Sequence, residues 1–203
     1  MHDHRFTGVD DQTPPSPADA LAIIEREQAR QVPPYWRFYL IWGIAWMVIG
    51  LAWFAHGAGL VGATLAGMLT GAAILGGSLI SGITGARMGR GVTGPSQVYG
   101  ALYGWVWPVA MVGIVALILG LNRLGAPTGY TAPALFVFVT GGLFAVGASV
   151  WRQIPDYVLG ITLMVLGASL LFIPAPWHAL ALAVVGGGTL VVTGFWTRAR
   201  AGR

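Results

Sequence analysis

The sequence predicts an all-α membrane protein: a bundle of six transmembrane helices preceded by a short cytoplasmic helix. Three observations predict it. Only 9% of the 203 residues are charged and 56% are hydrophobic, whereas ordinary soluble domains carry about 25% charged residues. Four stretches, 38–86, 91–122, 124–151 and 157–197, are free of Asp, Glu, Lys and Arg over 49, 32, 28 and 41 residues, and about 20 residues cross the hydrocarbon of a bilayer. Glycine, at 31 residues, has roughly twice its usual frequency of about 7%. It lies inside the apolar runs, the pattern of close helix contacts in lipid.

Residues 1–16 read as a disordered, polar and acidic cytoplasmic tail. They lack a basic n-region followed by an apolar h-region, so the first span is expected to serve as an uncleaved anchor. His2, Asp3 and His4 are metal-ligand types, but a flexible terminus supplies no fixed geometry, and no metal is expected there. Residues 17–34 read as a short amphipathic helix and its stop. Ser16 caps it, Pro17 takes the first helical position, Asp19 the third, and Val32-Pro33-Pro34 ends it near Gln31. Ala20, Leu21 and Ile24 form a narrow apolar stripe; Glu25, Arg26, Glu27 and Arg30 cover the rest. A solvated helix is the plain reading, and docking onto a cytoplasmic partner the sharper one.

Residues 35–198 form the six-span domain, and 199–203 a basic cytoplasmic tail. The longest and the last charge-free stretches each hold two spans, divided at His56-Gly57-Ala58-Gly59 and at Pro174-Ala175-Pro176. The expected spans are 37–55, 62–84, 98–120, 132–151, 157–173 and 178–197, the fifth being the shortest. Eight Leu, Ile, Phe and Val residues in the first span contribute about −0.3 to −0.6 kcal/mol each, so one central arginine at about +3 kcal/mol would nearly cancel them.

Arginine supplies every basic side chain other than histidine. Arg5, Arg26, Arg30, Arg37, Arg87, Arg90, Arg152, Arg198, Arg200 and Arg203 fall on one side of the spans and Arg123 on the other. This asymmetry places both termini in the cytoplasm; Arg37, Arg87, Arg90, Arg152, Arg198 and Arg200, nearest the spans, are the topology determinants. Tyr35, Trp36, Tyr39, Trp53, Trp151, Trp177 and Trp196 mark the span ends as an interfacial belt.

Gly43–Gly50 and Gly160–Gly167 bound two similar octapeptides, GIAWMVIG and GITLMVLG. Tyr39, Tyr99 and Tyr157 recur near the starts of spans one, three and five, and glycine clusters recur in the even spans. The expectation is three helical hairpin repeats. Gly43, Gly50 and Gly57 recur every seven residues, and Gly77, Ser81 and Gly85 every four, so each set lines one helix face for packing. Gly160 and Gly167 do the same in span five. Tyr39, Trp42, Trp46, Ile49 and Trp53 form an aromatic stripe, read as packing or lipid-facing surface before an aromatic ligand cage.

Chemistry is sparse. With no cysteine, disulfides, thiolate nucleophiles and Cys-held zinc or iron–sulfur sites are excluded. The spans hold no ionisable group away from their ends, so carboxylate proton relays, paired intramembrane aspartates and metal-dependent hydrolysis lack their essential groups. No phosphate-binding loop, dinucleotide fingerprint or zinc-protease signature occurs. No enzyme activity, cofactor or nucleic-acid binding is therefore expected. His56 and His178 fall at the outer ends of spans one and six, on the same side, as a pH-responsive pair or simply as hydrated interfacial side chains. Thr70 and Thr140 are the leading hydroxyls among those within the spans, most of which bond back to helical carbonyls. Pro108 removes a backbone hydrogen bond and should kink span three. Asp156 and Arg152 stand at helical spacing for an interfacial ion pair.

Five segments carry a family resemblance: residues 22–29 (AIIEREQA), 39–46 (YLIWGIAW), 90–96 (RGVTGPS), 103–107 (YGWVW), and 176–180 (PWHAL) leading to Gly186-Gly187-Gly188. In these the chain resembles a group of six-span integral membrane proteins common in actinobacteria, mostly uncharacterised and sometimes labelled transporters. The resemblance implies the six-span fold and carries over no functional residue. The expected function is a non-catalytic, permease-like or accessory component of a transport system for an uncharged or apolar solute. The alternative is a membrane scaffold or sensor that binds a cytoplasmic partner through residues 17–31. An intramembrane enzyme ranks third. Expected partners are the lipid bilayer and a second copy or another membrane or cytoplasmic protein.

Overall fold

The computed structural model describes residues 16–30, 35–90, 95–126, 128–151 and 153–201. The tail with His2, Asp3 and His4 lies outside the described residues, as does Arg152 and with it the expected Arg152–Asp156 pair. The chain divides into two units, Met1–Pro33 and Pro34–Arg203. Every described element is helical.

In the first unit, α1 spans Pro17–Arg30. The Asp19 amide donates to the Ser16 hydroxyl at 3.2 Å, and that hydroxyl donates to the Asp19 carboxylate at 2.6 Å. The cap expected at Ser16 thus forms, satisfying one of the amides that a helix start leaves free. Leu21 and Ile23 are both exposed.

The second unit contains α2 (Trp36–Gly57), α3 (Ala63–Met88), α4 (Pro95–Arg123), α5 (Thr128–Trp151), α6 (Ile154–Leu170), α7 (Trp177–Ala181) and α8 (Gly188–Ala201), with α7 and α8 joined by a π-helical segment, Leu182–Gly187. Five rods are long and apolar enough to cross a membrane: Trp36–Gly57, Ala63–Met88, Val98–Arg123, Thr128–Trp151 and the continuous Trp177–Arg200. The sixth, α6, is apolar but has 17 residues. The turns fall where glycine and proline were expected to place them. Gly59 and Gly125 adopt φ of 75° and 78° in the α2–α3 and α4–α5 turns, a left-handed backbone that glycine enters without steric cost.

Lipid tails are as apolar as leucine, so burial of apolar area drives helices together far less here than in water. Close van der Waals packing takes its place. Two glycine seams provide it. A β-carbon on Gly141 would stand 2.6 Å from the Gly160 carbonyl oxygen, and one on Gly160 would stand 2.7 Å from the Gly141 carbonyl oxygen. These backbones touch directly, and Gly167 extends the seam onto Ala134 and Phe138. In the second seam Gly43 faces Val191 and Gly187, Gly50 faces Ala179 and Ala183, and Gly57 faces Pro176. The tightest seams therefore join α5 to α6 and α2 to the last rod, each cutting across the three sequential hairpins expected from the repeats.

The seams also fix direction. Residues 43, 50 and 57 meet residues of decreasing number, so α2 and the last rod are antiparallel. Trp53 meets Thr70 and Trp42 meets Gly77, which makes α3 antiparallel to α2. Tyr103 meets Gly147 and Trp107 meets Phe144, which makes α4 antiparallel to α5. As a result the start of α2 and the end of α8 share one end of the unit, with Arg198 4.9 Å from the Trp36 ring centroid. The turns 58–62, 124–126 and 171–176 share the other, where the Ala175 amide donates to the Tyr130 hydroxyl at 3.2 Å. Between them α6 starts beside Tyr39, through Asp156, and delivers the chain to Pro176 beside Gly57.

The Gly77–Ser81–Gly85 face is used only in part. Gly77 makes ordinary contact with Trp42 and Ile41, whereas Gly85 adjoins nothing within 4 Å. Two turns beyond Gly77, α3 has run past the level at which α2 begins, so among the described residues no helix faces it there.

Gly160→Leu should cost at least about 1–3 kcal/mol of stability, because the seam offers only backbone to displace. Gly76→Leu, with open space at its α-carbon, should change stability by no more than about 0.5 kcal/mol. Thermal unfolding of both variants in the same detergent micelle checks the contrast.

Candidate functional site

The interior of the second unit centres on Trp46, which is 3% exposed. Its ring meets Phe136 of α5 at 5.8 Å between centroids. On the other side it faces Gly186, whose added β-carbon would come within 3.0 Å of the indole. The π-helical segment runs through this contact. A triple glycine resists the wider π turn least, and the turn seats the indole against bare backbone. Leu159, Leu163, Leu166, Leu170, Leu182 and Leu190 close the core around it. Of the aromatic stripe on α2, Tyr39 and Trp46 are buried, and Trp42 and Ile49 pack against the same core, so the stripe is chiefly a packing surface.

Polar groups gather at the two ends. At the end with the turns, the His56 ring nitrogen Nδ1 lies 3.1 Å from the Val61 carbonyl oxygen, and the ring stands edge-on to Trp53 at 5.6 Å. His178 instead meets the Tyr130 ring at 4.8 Å. The two histidines share an end of the bundle, but each is engaged with a different neighbour. Thr70 is a clasp: its hydroxyl accepts from the Trp53 indole N–H at 2.9 Å and donates to the Ala66 carbonyl at 2.9 Å. It thereby satisfies an indole N–H that lipid could not.

At the opposite end the Tyr39 hydroxyl stands beside the Asp156 carboxylate, bringing α2 to the start of α6. Just before α2, the Tyr35 hydroxyl is pushed above its ordinary pKa by partial burial and by the negative charge of Asp156. A chain of rings continues from Tyr39 through Phe144 and Trp107 to Tyr103 and Trp151, with centroid separations of 5.9, 5.3, 6.2 and 4.7 Å. The Tyr103 hydroxyl donates to the Leu143 carbonyl at 2.8 Å, and its ring lies on Gly147, where any side chain would collide with it. This contact, with Trp107 and the buried Ile114, attaches α4; most of the rest of that helix is exposed, Trp105 and Val112 each at 70%.

Thr162, Ser169, Thr189 and Thr197 donate to carbonyls of their own helices, as expected. Thr140 differs. It is 5% exposed and its hydroxyl has no partner; the Ser81 hydroxyl and His178 Nδ1 are likewise buried and unpaired. Pro108 lies on the exposed face of α4, which remains helical from Pro95 to Arg123. Beside it is a shallow groove lined by Ala101, Gly104 and Trp105. A second apolar groove runs along α6 over Ile161, Thr162, Val165 and Ser169 to Val185. Both open outward. Arg37, Arg87, Arg90, Arg198 and Arg200 belong to the end of the unit that holds the start of α2, and Arg123 to the end with the turns. Among the described residues no group of three or more His, Asp or Glu side chains is placed to hold a metal ion.

No protein-family model, curated protein or solved structure matches this chain. The site is therefore read from its own geometry. Sequence reasoning missed the approach of Tyr39 to Asp156, the His178–Tyr130 contact and the π segment. The triple glycine was a legible signal only for the last.

Thr140→Val removes a buried hydroxyl with no partner, whose burial costs about 1–3 kcal/mol; it should raise the melting temperature in detergent. Tyr103→Phe should lower it by the loss of one interhelical hydrogen bond, about 0.6 kcal/mol in a membrane protein. A lower melting temperature for Thr140→Val would mean that its hydroxyl is bonded.

Proposed function

We propose that the chain is a six-span, non-catalytic protein of a bacterial inner membrane, with both termini cytoplasmic, serving as an accessory component of a transport system for an uncharged or apolar solute. The observation that carries the span count is parity. The start of α2 and the end of α8 lie at the same end of the unit, with Arg198 against the Trp36 ring. A chain that enters and leaves at one end crosses an even number of times, which supports a crossing by α6 along with the five long rods. Its 17 residues reach about 26 Å against about 30 Å of hydrocarbon, a mismatch that lipid and flanking residues absorb at a fraction of a kcal/mol per Å. The sorting of arginines between the two ends supports the cytoplasmic assignment, and the family resemblance is consistent with the same architecture.

The accessory role is supported by the closed core. Trp46, Phe136 and the π segment fill the space between α2, α5 and the last rod, and the outward grooves are apolar. Such an interior favours a structural member over a self-sufficient pore. A second reading, docking of a cytoplasmic protein on α1, is favoured by the exposed Leu21 and Ile23 on a capped helix in a unit of its own.

Proteoliposomes carrying the purified chain should shrink and reswell under a gradient of a neutral solute such as glycerol at the rate of empty liposomes. Saturable flux through the chain alone would replace the accessory role with that of a permease. Copurification of a soluble protein that is lost on deleting residues 1–31 would favour the second reading.

A further inference from the structure

We propose that α2 and α8 together form a binding site for the phosphate of an anionic glycerophospholipid, built from Arg37 and Arg198 on the indole ring of Trp36. The proposal rests on the reading above that this end of the bundle lies in a headgroup layer. Two arginines from opposite ends of the unit's sequence converge on one ring: the guanidinium carbon of Arg37 is 5.4 Å, and that of Arg198 4.9 Å, from the Trp36 centroid. Arg200, two residues beyond Arg198 and so on another face of α8, packs separately on the Trp196 ring, 3.7 Å from its centroid. Arg37 and Arg198 are both exposed.

An indole face attracts the cation without consuming its N–H donors. Each guanidinium therefore keeps a fork of donors for an oxyanion while its orientation is held by the ring. Among the described residues no carboxylate forms an ion pair with these arginines. Asp156, the one carboxylate of the second unit whose side chain is described, stands beside the Tyr39 hydroxyl. The positive charge at this corner is thus concentrated, oriented and open to an anion. The anion is attached to a lipid because the surface continues into apolar side chains. Val192 and Phe195, one to two turns deeper on α8, are 68% and 56% exposed, at the depth where acyl chains begin. Basic clusters where helices emerge from a membrane recognise anionic headgroups through this chemistry.

The test is native mass spectrometry of the full-length chain in a neutral detergent. It is titrated with phosphatidylglycerol, with phosphatidylcholine of the same acyl chains, and with inorganic phosphate. The wild type should retain phosphatidylglycerol in preference to phosphatidylcholine, and Arg37→Gln/Arg198→Gln should reduce that preference about ten-fold. Arg87→Gln/Arg90→Gln, which removes equal charge from the same end, should leave it unchanged. Equal loss in both double variants, or no preference in the wild type, would overturn the proposal. Displacement of the lipid by millimolar inorganic phosphate would assign the site to free anions. Unchanged thermal unfolding of the double variants excludes misfolding as the cause. Release of the chain from membranes by alkaline carbonate would instead overturn the membrane reading on which the site rests.

Discussion

The structure depends on backbone meeting backbone at Gly141 and Gly160. In hydrocarbon a helix has already satisfied its own amides and carbonyls, and burying one more leucine against another helix gains little over burying it in lipid. What remains is fit. Where two glycines face each other the helices approach until carbonyl oxygen meets the opposing α-carbon, and flanking side chains interlock on either side. The same device, spaced every seventh residue at Gly43, Gly50 and Gly57, docks the last rod on α2. With these two seams in place Trp46 is enclosed between α5 and the π segment. The core is closed by ring and backbone, without a polar network.

The outer helices are attached differently. Besides the contact of Gly77 with Trp42 and Ile41, α3 is joined to α2 by the Trp53–Thr70–Ala66 hydrogen-bond relay, and α4 to α5 by Tyr103 lying on Gly147. Both fasten a helix by a polar atom at a point where a bare α-carbon or a hydroxyl gives access, and both leave most of the helix facing outward. The result is a rigid centre flanked by two exposed rods. Its two ends have contrasting chemistry: one gathers arginines, indoles and the Tyr39–Asp156 pair, the other three turns and both described histidines.

Much of this was legible in the residues. The charge-free stretches, the breaks at residues 56–59 and 174–176, and the Ser16 cap each follow from local chemistry, and the helices formed within a few residues of the expected limits. The faces of Gly43, Gly50 and Gly57, and of Gly160 and Gly167, were visible as periodicities. Their partners were not, because spacing along one helix is silent about which helix lies opposite. For that reason Gly85 was expected on a seam that ends before it. The approach of Asp156 to Tyr39 was not legible either, since it joins residues more than a hundred positions apart. Thr140 looked like one more hydroxyl that would bond its own helix, and only the folded geometry of α5 shows it buried without a partner.

The claim on which the account turns is that the short helix α6 crosses from one face of the membrane to the other. Because the native chain has no cysteine, single cysteines introduced at Gln153 and Ala175, with Gly62→Cys as reference, can be labelled in intact cells with a membrane-impermeant maleimide. Ala175→Cys and Gly62→Cys should both react from outside, and Gln153→Cys only after permeabilisation. Labelling of Gln153→Cys and Ala175→Cys from the same side would contradict the account.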